Sequence, residues 1–78
     1  MIPLRVALER SGLKATWERS GQIVKAEGKD MVIEFQVGAS EALVNDHVVV
    51  LPKAIKMENG QAVVPPGLVA DLLKAEGR

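Results

Sequence analysis

One stretch near the C-terminal end limits what this chain can fold into more than any other. It begins with Asn59-Gly60, a dipeptide that readily takes the positive φ angles of a two-residue hairpin turn. The apolar run 61–64 then predicts a strand, and Pro65-Pro66 leads into a helix, with Pro66 expected in its first turn. Apolar residues at helical spacing give that helix one buried face: Leu68, Val69, Leu72 and Leu73.

The chain opens with a shorter copy of the same unit. Ile2 is expected to end a strand, and Pro3 is expected to open a helix that runs to about Arg10. Gly12 is the expected C-terminal stop of this helix. The strand–proline–helix unit therefore occurs at residues 2–12 and again at 62–77, which predicts a pseudo-symmetric module rather than a solenoid.

The residues between the two copies predict short antiparallel strands. Residues 14–18, 22–27 and 31–37 form a three-stranded meander with turns at 19–21 and 28–30, and residues 41–44 and 47–51 form a hairpin through Asn45-Asp46. No linker or low-complexity segment divides the chain. The predicted fold class is α+β: a small antiparallel sheet of short hairpins with two short helices, in one domain covering residues 1–78.

Composition excludes several classes of function. Ten basic and ten acidic residues are interleaved, so there is no basic stripe of the kind that binds nucleic acid. The absence of cysteine excludes disulfides, thiol catalysis and thiolate metal sites. No apolar run is long enough to span a membrane, and no signal peptide is visible, so membrane insertion is not expected and any export signal must lie outside this sequence.

No catalytic, cofactor or metal site is expected. His47 is the only histidine, and a transition-metal site needs several convergent ligands, so we interpret His47 as a solvent-facing strand residue. A serine nucleophile needs a histidine as its general base, and His47 would have to fill that role for any serine of the chain, so a catalytic triad is not supported. The carboxylates lie beside basic residues, as in Glu9-Arg10 and Glu18-Arg19, which is typical of a solvated surface of mixed charge.

Trp17 is the one candidate for a ligand contact. A half-exposed tryptophan on a small sheet can stack on sugar rings or anchor a partner. The alternative, which the sequence favours because large aromatics mostly pack in so small a domain, is that Trp17 covers the edge of a small aliphatic core. Arg5 is interpreted as a structural clamp that pairs with a strand-end carboxylate or with Glu9 one helical turn along.

The segments together resemble the copper amine oxidase N-terminal-like domain. Residues 2–5 (Ile-Pro-Leu-Arg), 9–12 and 14–17 look like the opening Val-Pro-Leu-Arg, Leu-Gly and Trp signature of that family. Residues 42–52 and 59–73 are similar to its later segments, in the same order and spacing. In the second copy Pro66-Gly67 replaces the family's Leu-Arg, and Asp46-His47 stands where Gly-Lys is usual.

The resemblance implies a bacterial cell-surface module built from a repeated unit. In amine oxidases the similar domain is a stalk remote from the copper and the quinone, and this chain has neither the tyrosine that forms the quinone nor the three histidines that hold copper. The structural residues that the resemblance and the turn chemistry single out are Pro3, Arg5, Gly12, Asn59, Gly60 and Pro65. The family domain commonly begins with a further hairpin, whose absence here suggests a trimmed domain.

Two functions from different classes follow from the sequence. The first is a non-catalytic structural or adaptor (stalk) module of an exported cell-envelope protein, located outside the cell or in the cell wall. The second is a module that binds cell-wall glycans or peptides through Trp17. An enzyme is the third and least supported. The expected partners are neighbouring domains of the same polypeptide or cell-wall components, and an unpaired strand edge favours a homodimer or strand exchange.

Overall fold

A computed structural model of the chain describes residues 1–18 and 22–76. The turn predicted at 19–21 and the end of the chain at 77–78 lie outside the described residues. Within the described part, the elements in chain order are β1 (Ile2–Pro3), α1 (Leu4–Arg10), β2 (Lys14–Glu18), β3 (Ile23–Glu27), β4 (Val32–Gln36), β5 (Glu41–Val44), β6 (His47–Val50), β7 (Lys56–Glu58), β8 (Gln61–Val64) and α2 (Leu68–Glu76).

The larger sheet is a continuous antiparallel meander in the order β2-β3-β4-β5-β6. The predicted meander and the predicted hairpin are joined by the turn at Gly38, whose φ of +89° favours glycine. At the next turn Asn45 and Asp46 have φ values of 48° and 71°, the positive pair of a type I′ hairpin. Asn45 also extends the ladder, because its N–H donates to the Val32 carbonyl and its Oδ1 accepts from the Val32 N–H, both at 2.9 Å.

The smaller sheet has the order β1-β8-β7 and brings the two copies of the repeated unit together. Ile2 pairs with Val64 and Pro3 with Val63, antiparallel, and α1 contacts α2. The first strand thus finds its partner within the chain. The strands form two sheets rather than the single sheet expected, because β8 pairs with the other copy's strand and not with the meander.

Helix α1 is bounded by backbone chemistry at both ends. Pro3 is the N-cap, with extended φ and ψ of −61° and 133°. At the other end the Gly12 N–H donates to the Glu9 carbonyl and the Leu13 N–H to the Leu8 carbonyl, the bond pattern of a Schellman motif. Gly12 has the φ of +85° that this motif requires, and the motif turns Leu13 back into the core beside Leu8.

Helix α2 starts later than predicted. Pro66 lies in the turn before the helix rather than in its first turn, because Gly67, with a φ of +85°, stands between the proline and Leu68. The Gly67 carbonyl accepts the first helical hydrogen bond, from the Asp71 N–H at 2.9 Å. The two copies therefore enter their helices differently: the first directly from its proline and the second through a glycine.

A single apolar cluster connects both sheets and both helices. One face of the meander supplies its centre, where Phe35, Ile33 and Ala26 are fully buried, and α1 adds Leu4 and Leu8. Among the described residues every buried side chain is apolar. The α+β class predicted from the sequence is confirmed: two short helices pack with two small antiparallel sheets.

Candidate binding groove

Trp17 lies on the edge strand of the meander, on the face that carries the core. It pairs with Val24, which in turn pairs with the buried Phe35, and side chains in register across a sheet share a face. Beyond β2 no further strand covers this edge, since β2 pairs with β3 alone in the described sheet. The indole therefore sits at the border of the core and keeps 42% of its surface exposed.

A groove of about 470 Å³ lies next to Trp17, between β2 and the turn that joins β7 to β8. The start of α1 closes one end of it. The wall on the β2 side is formed by Ala15, Thr16 and Trp17, with Val24 below, and the opposite wall by Gly60, Gln61 and Ala62, with Pro3 and Arg5 at the end. The groove thus has one wall from each of the two sheets.

The lining combines one flat aromatic surface with a few hydrogen-bonding groups. The Gln61 amide both donates and accepts, and the Arg5 guanidinium donates only. Thr16 borders the groove, but its side chain lies on the opposite face of the sheet from Trp17, because side chains alternate along a strand. Arg5 is held by Glu9, with its Nε 3.2 Å from Oε2, as the spacing of the two residues on α1 allows. This pair uses one of the five guanidinium N–H donors and leaves the side chain 76% exposed.

The structure brings four of the residues selected from the sequence together at this groove: Trp17, Pro3, Arg5 and Gly60. The others lie elsewhere. Gly12 is in the cap of α1, and Pro65 is half-buried just after β8. Asn59, with a φ of 52°, is the first residue of the β7–β8 turn and precedes Gly60.

Sequence reasoning missed Gln61, Thr16 and Ala62 as groove residues. Each occupies an ordinary strand position, and no local pattern distinguishes it. Gln61 directly follows the Asn-Gly turn, but only the pairing of β8 with β1 carries that turn toward Trp17. The groove is a product of tertiary arrangement, so the one usable signal in the sequence is the single tryptophan itself.

The described residues offer little for metal or membrane chemistry. In residues 1–18 and 22–76, no group of three or more histidine, aspartate or glutamate side chains could hold a metal ion. His47 lies exposed at the start of β6. Neither helix of this part of the chain is long and apolar enough to cross a membrane.

Comparison with known protein families identifies the relationship of the chain. The model of the family described as "Copper amine oxidase N-terminal domain" matches residues 1–76. That family is a non-catalytic module of copper amine oxidases. A search of curated proteins finds no match to this sequence. The match covers both copies of the strand–proline–helix unit and the meander between them, and the chain therefore belongs to the copper amine oxidase N-terminal domain family.

Proposed function

We propose that the chain is a non-catalytic structural or adaptor module, a stalk, of an exported bacterial cell-envelope protein. The observation that carries the proposal is the family match across residues 1–76, since the family is a non-catalytic module. The core supports it. Every buried side chain in the described part is apolar, which is typical of residues selected for packing and not for proton transfer.

Cell fractionation tests the envelope location. An antiserum raised against the purified domain would be applied to wall, membrane and cytosolic fractions of the bacterium that encodes it. We expect the signal in the wall fraction, and we expect it to disappear when intact cells are treated with protease, while a cytosolic marker survives. A signal confined to the cytosolic fraction and protected in intact cells would refute the envelope role.

A second function, binding of cell-wall glycans, is favoured by one specific observation: Trp17 is exposed beside a groove. A half-exposed indole offers an apolar plate to the C–H face of a sugar ring. The amide of Gln61 lies on the wall opposite Trp17 and can bond ring hydroxyls, and the Arg5 guanidinium at the end of the groove can donate to them. A stalk that only spaces other domains does not require this arrangement.

Co-sedimentation with insoluble peptidoglycan distinguishes the two functions. We expect wild-type protein to pellet, and we expect Trp17→Ala to lose most of the pelleting because the aromatic plate is removed. Val32→Ala is the matched control, since Val32 is 38% exposed but lies on the opposite face of the sheet. Circular dichroism must show that both variants remain folded. If wild type and Trp17→Ala pellet equally, the groove does not bind the wall.

A further inference from the structure

The two outer edges of the five-stranded sheet differ in how well they are protected. Edge strands normally carry charges, prolines or bulges that prevent pairing with another chain. The edge strand β2 has Lys14 at its start and Glu18 at its end. The other edge strand, β6, reads His-Val-Val-Val and contains no charged side chain, no proline and no glycine.

The hydrogen-bond pattern shows which backbone groups of β6 face outward. The Leu51 N–H donates to the Ser40 carbonyl at 2.7 Å, so Leu51 points toward β5. Because neighbouring residues of an antiparallel strand point to opposite sides, Val49 also points toward β5, and the N–H and C=O groups of Val48 and Val50 point away from the sheet. Within residues 1–18 and 22–76, four backbone groups per chain are therefore available along this edge.

The side chains of the same two residues are the most exposed large apolar groups of the described chain. Val48 is 65% and Val50 is 73% exposed, both on the face of the sheet opposite the core. Val48 lines a shallow depression of about 240 Å³, together with Leu43 and Ile23. The unpaired backbone groups of β6 and its exposed apolar side chains therefore belong to the same two residues, and this combination is typical of an interaction site.

We propose that β6 pairs antiparallel with β6 of a second copy of this chain, forming a two-fold dimer with a continuous ten-stranded sheet. A second copy suits this edge because the edge is self-complementary. With Val48 opposite the partner's Val50, and Val50 opposite the partner's Val48, all outward backbone groups pair. The exposed valines then meet across the junction. The formal net charge of the chain is zero, so no overall repulsion opposes association.

Other registers use the edge less well. Pairing Val50 with the partner's Val50 places Val48 opposite Pro52, which has no N–H to donate. Pairing Val48 with the partner's Val48 places Val50 opposite Asp46, which lies in the turn with a φ of 71°. In the favoured register Val49 lies on the two-fold axis, opposite the partner's Val49. The N–H and C=O groups of Val49 point toward β5 and form no hydrogen bond to the partner.

The dimer is expected to be weak, because a four-residue strand buries less than the surface of a standard interface. Sedimentation equilibrium of the intact chain should show the mass rising from 8.4 kDa toward twice that value as the concentration increases to on the order of 1 mM. Val48→Lys should weaken the association at least tenfold, because a lysine on an edge strand opposes pairing. Val32→Lys, on the same face but on the inner strand β4, is the matched control and should change it less than threefold.

A cysteine variant tests the register. The chain has no cysteine of its own, and opposed residues at a non-hydrogen-bonded antiparallel position have Cα atoms about 4.5 Å apart, within reach of a disulfide. Val49→Cys should therefore oxidise to a covalent dimer at least tenfold faster than Val48→Cys, whose partner in this register is the other chain's Val50. Equal rates would reject the register.

Val50→Pro tests the backbone contribution separately. It removes an outward N–H without removing a bond to β5, and proline is tolerated on edge strands. The variant should be monomeric with an unchanged circular dichroism spectrum. The proposal is overturned if the wild type remains monomeric at on the order of 1 mM, or if Val48→Lys and Val50→Pro both still dimerise as the wild type does.

Discussion

Replacing Asn45 by alanine should destabilise the domain through two separable effects. The residue has a φ of 48°, and a left-handed conformation costs an ordinary L-residue about 1–2 kcal/mol. Its Oδ1 also accepts the Val32 N–H, and a hydrogen bond at an exposed site contributes about 0.5–1 kcal/mol. The free energy of unfolding should therefore fall by about 1.5–3 kcal/mol in Asn45→Ala.

A matched turn elsewhere in the chain separates the two effects. Asn59 has nearly the same φ, 52°, and is likewise the first residue of a two-residue turn, but within the described residues its side chain accepts no hydrogen bond. Asn59→Ala should thus show the conformational effect alone, about 1–2 kcal/mol. Asn45→Gly keeps the left-handed conformation and should lose about 0.5–1 kcal/mol, and Asn59→Gly should be close to neutral.

Urea denaturation followed by far-UV circular dichroism measures all four variants against the wild type. In a thermal scan of the same variants, a loss of about 2 kcal/mol corresponds to a fall in Tm of about 8–16 °C for a domain of this size. If Asn45→Ala and Asn59→Ala lose the same amount, the hydrogen bond to Val32 contributes nothing. If Asn45→Gly is as harmful as Asn45→Ala, the positive φ is not what selects asparagine.

Four further substitutions have defined outcomes in the same unfolding assay. Phe35→Ala removes the largest fully buried side chain and should lower the free energy of unfolding by about 3–5 kcal/mol, a large fraction of the total for a small domain; a loss under about 1 kcal/mol would contradict its place at the centre of the core. Gly12→Ala forces a Cβ into a φ of +85° in the cap of α1 and should lose about 1–2 kcal/mol. Asp46→Gly relieves a positive φ of 71° and should stabilise by up to about 1 kcal/mol. Arg5→Ala breaks only an exposed pair with Glu9 and should lose no more than about 0.5 kcal/mol, so a larger loss would mean that Arg5 clamps something else.

Most of the fold could be predicted from the sequence because it depends on local turn chemistry. Asn45-Asp46 and Asn59-Gly60 place two hairpins, and the glycine after α1 ends that helix. Alternation of apolar residues identifies the buried face of the central strands, on which Phe35 lies. These signals act over a few residues, so a single sequence contains them.

The parts that could not be predicted depend on contacts between distant segments. Nothing local says that Ile2 pairs with Val64, and this pairing adds β1 to the β7–β8 hairpin to complete the second sheet, whose residues form one wall of the groove beside Trp17. The start of α2 is predicted too early because a proline pair is typical of a first helical turn. Gly67 takes a φ of +85° and delays the helix, and no local pattern distinguishes it from a helical position.

The pairing of β1 with β8 also has a consequence for the order of folding. Every strand of the meander pairs with its neighbour in sequence, and such contacts form quickly. The β1–β8 pair instead closes a loop of about 60 residues, which costs roughly 3.6 kcal/mol in chain entropy before any contact offsets it. During synthesis, which proceeds from the N-terminus, the chain can therefore form its meander before β8 has been made. Helix α1 can then pack on β2 of this meander, but the part of Leu4 and Leu8 that β8 and α2 cover stays exposed until the last quarter of the sequence arrives.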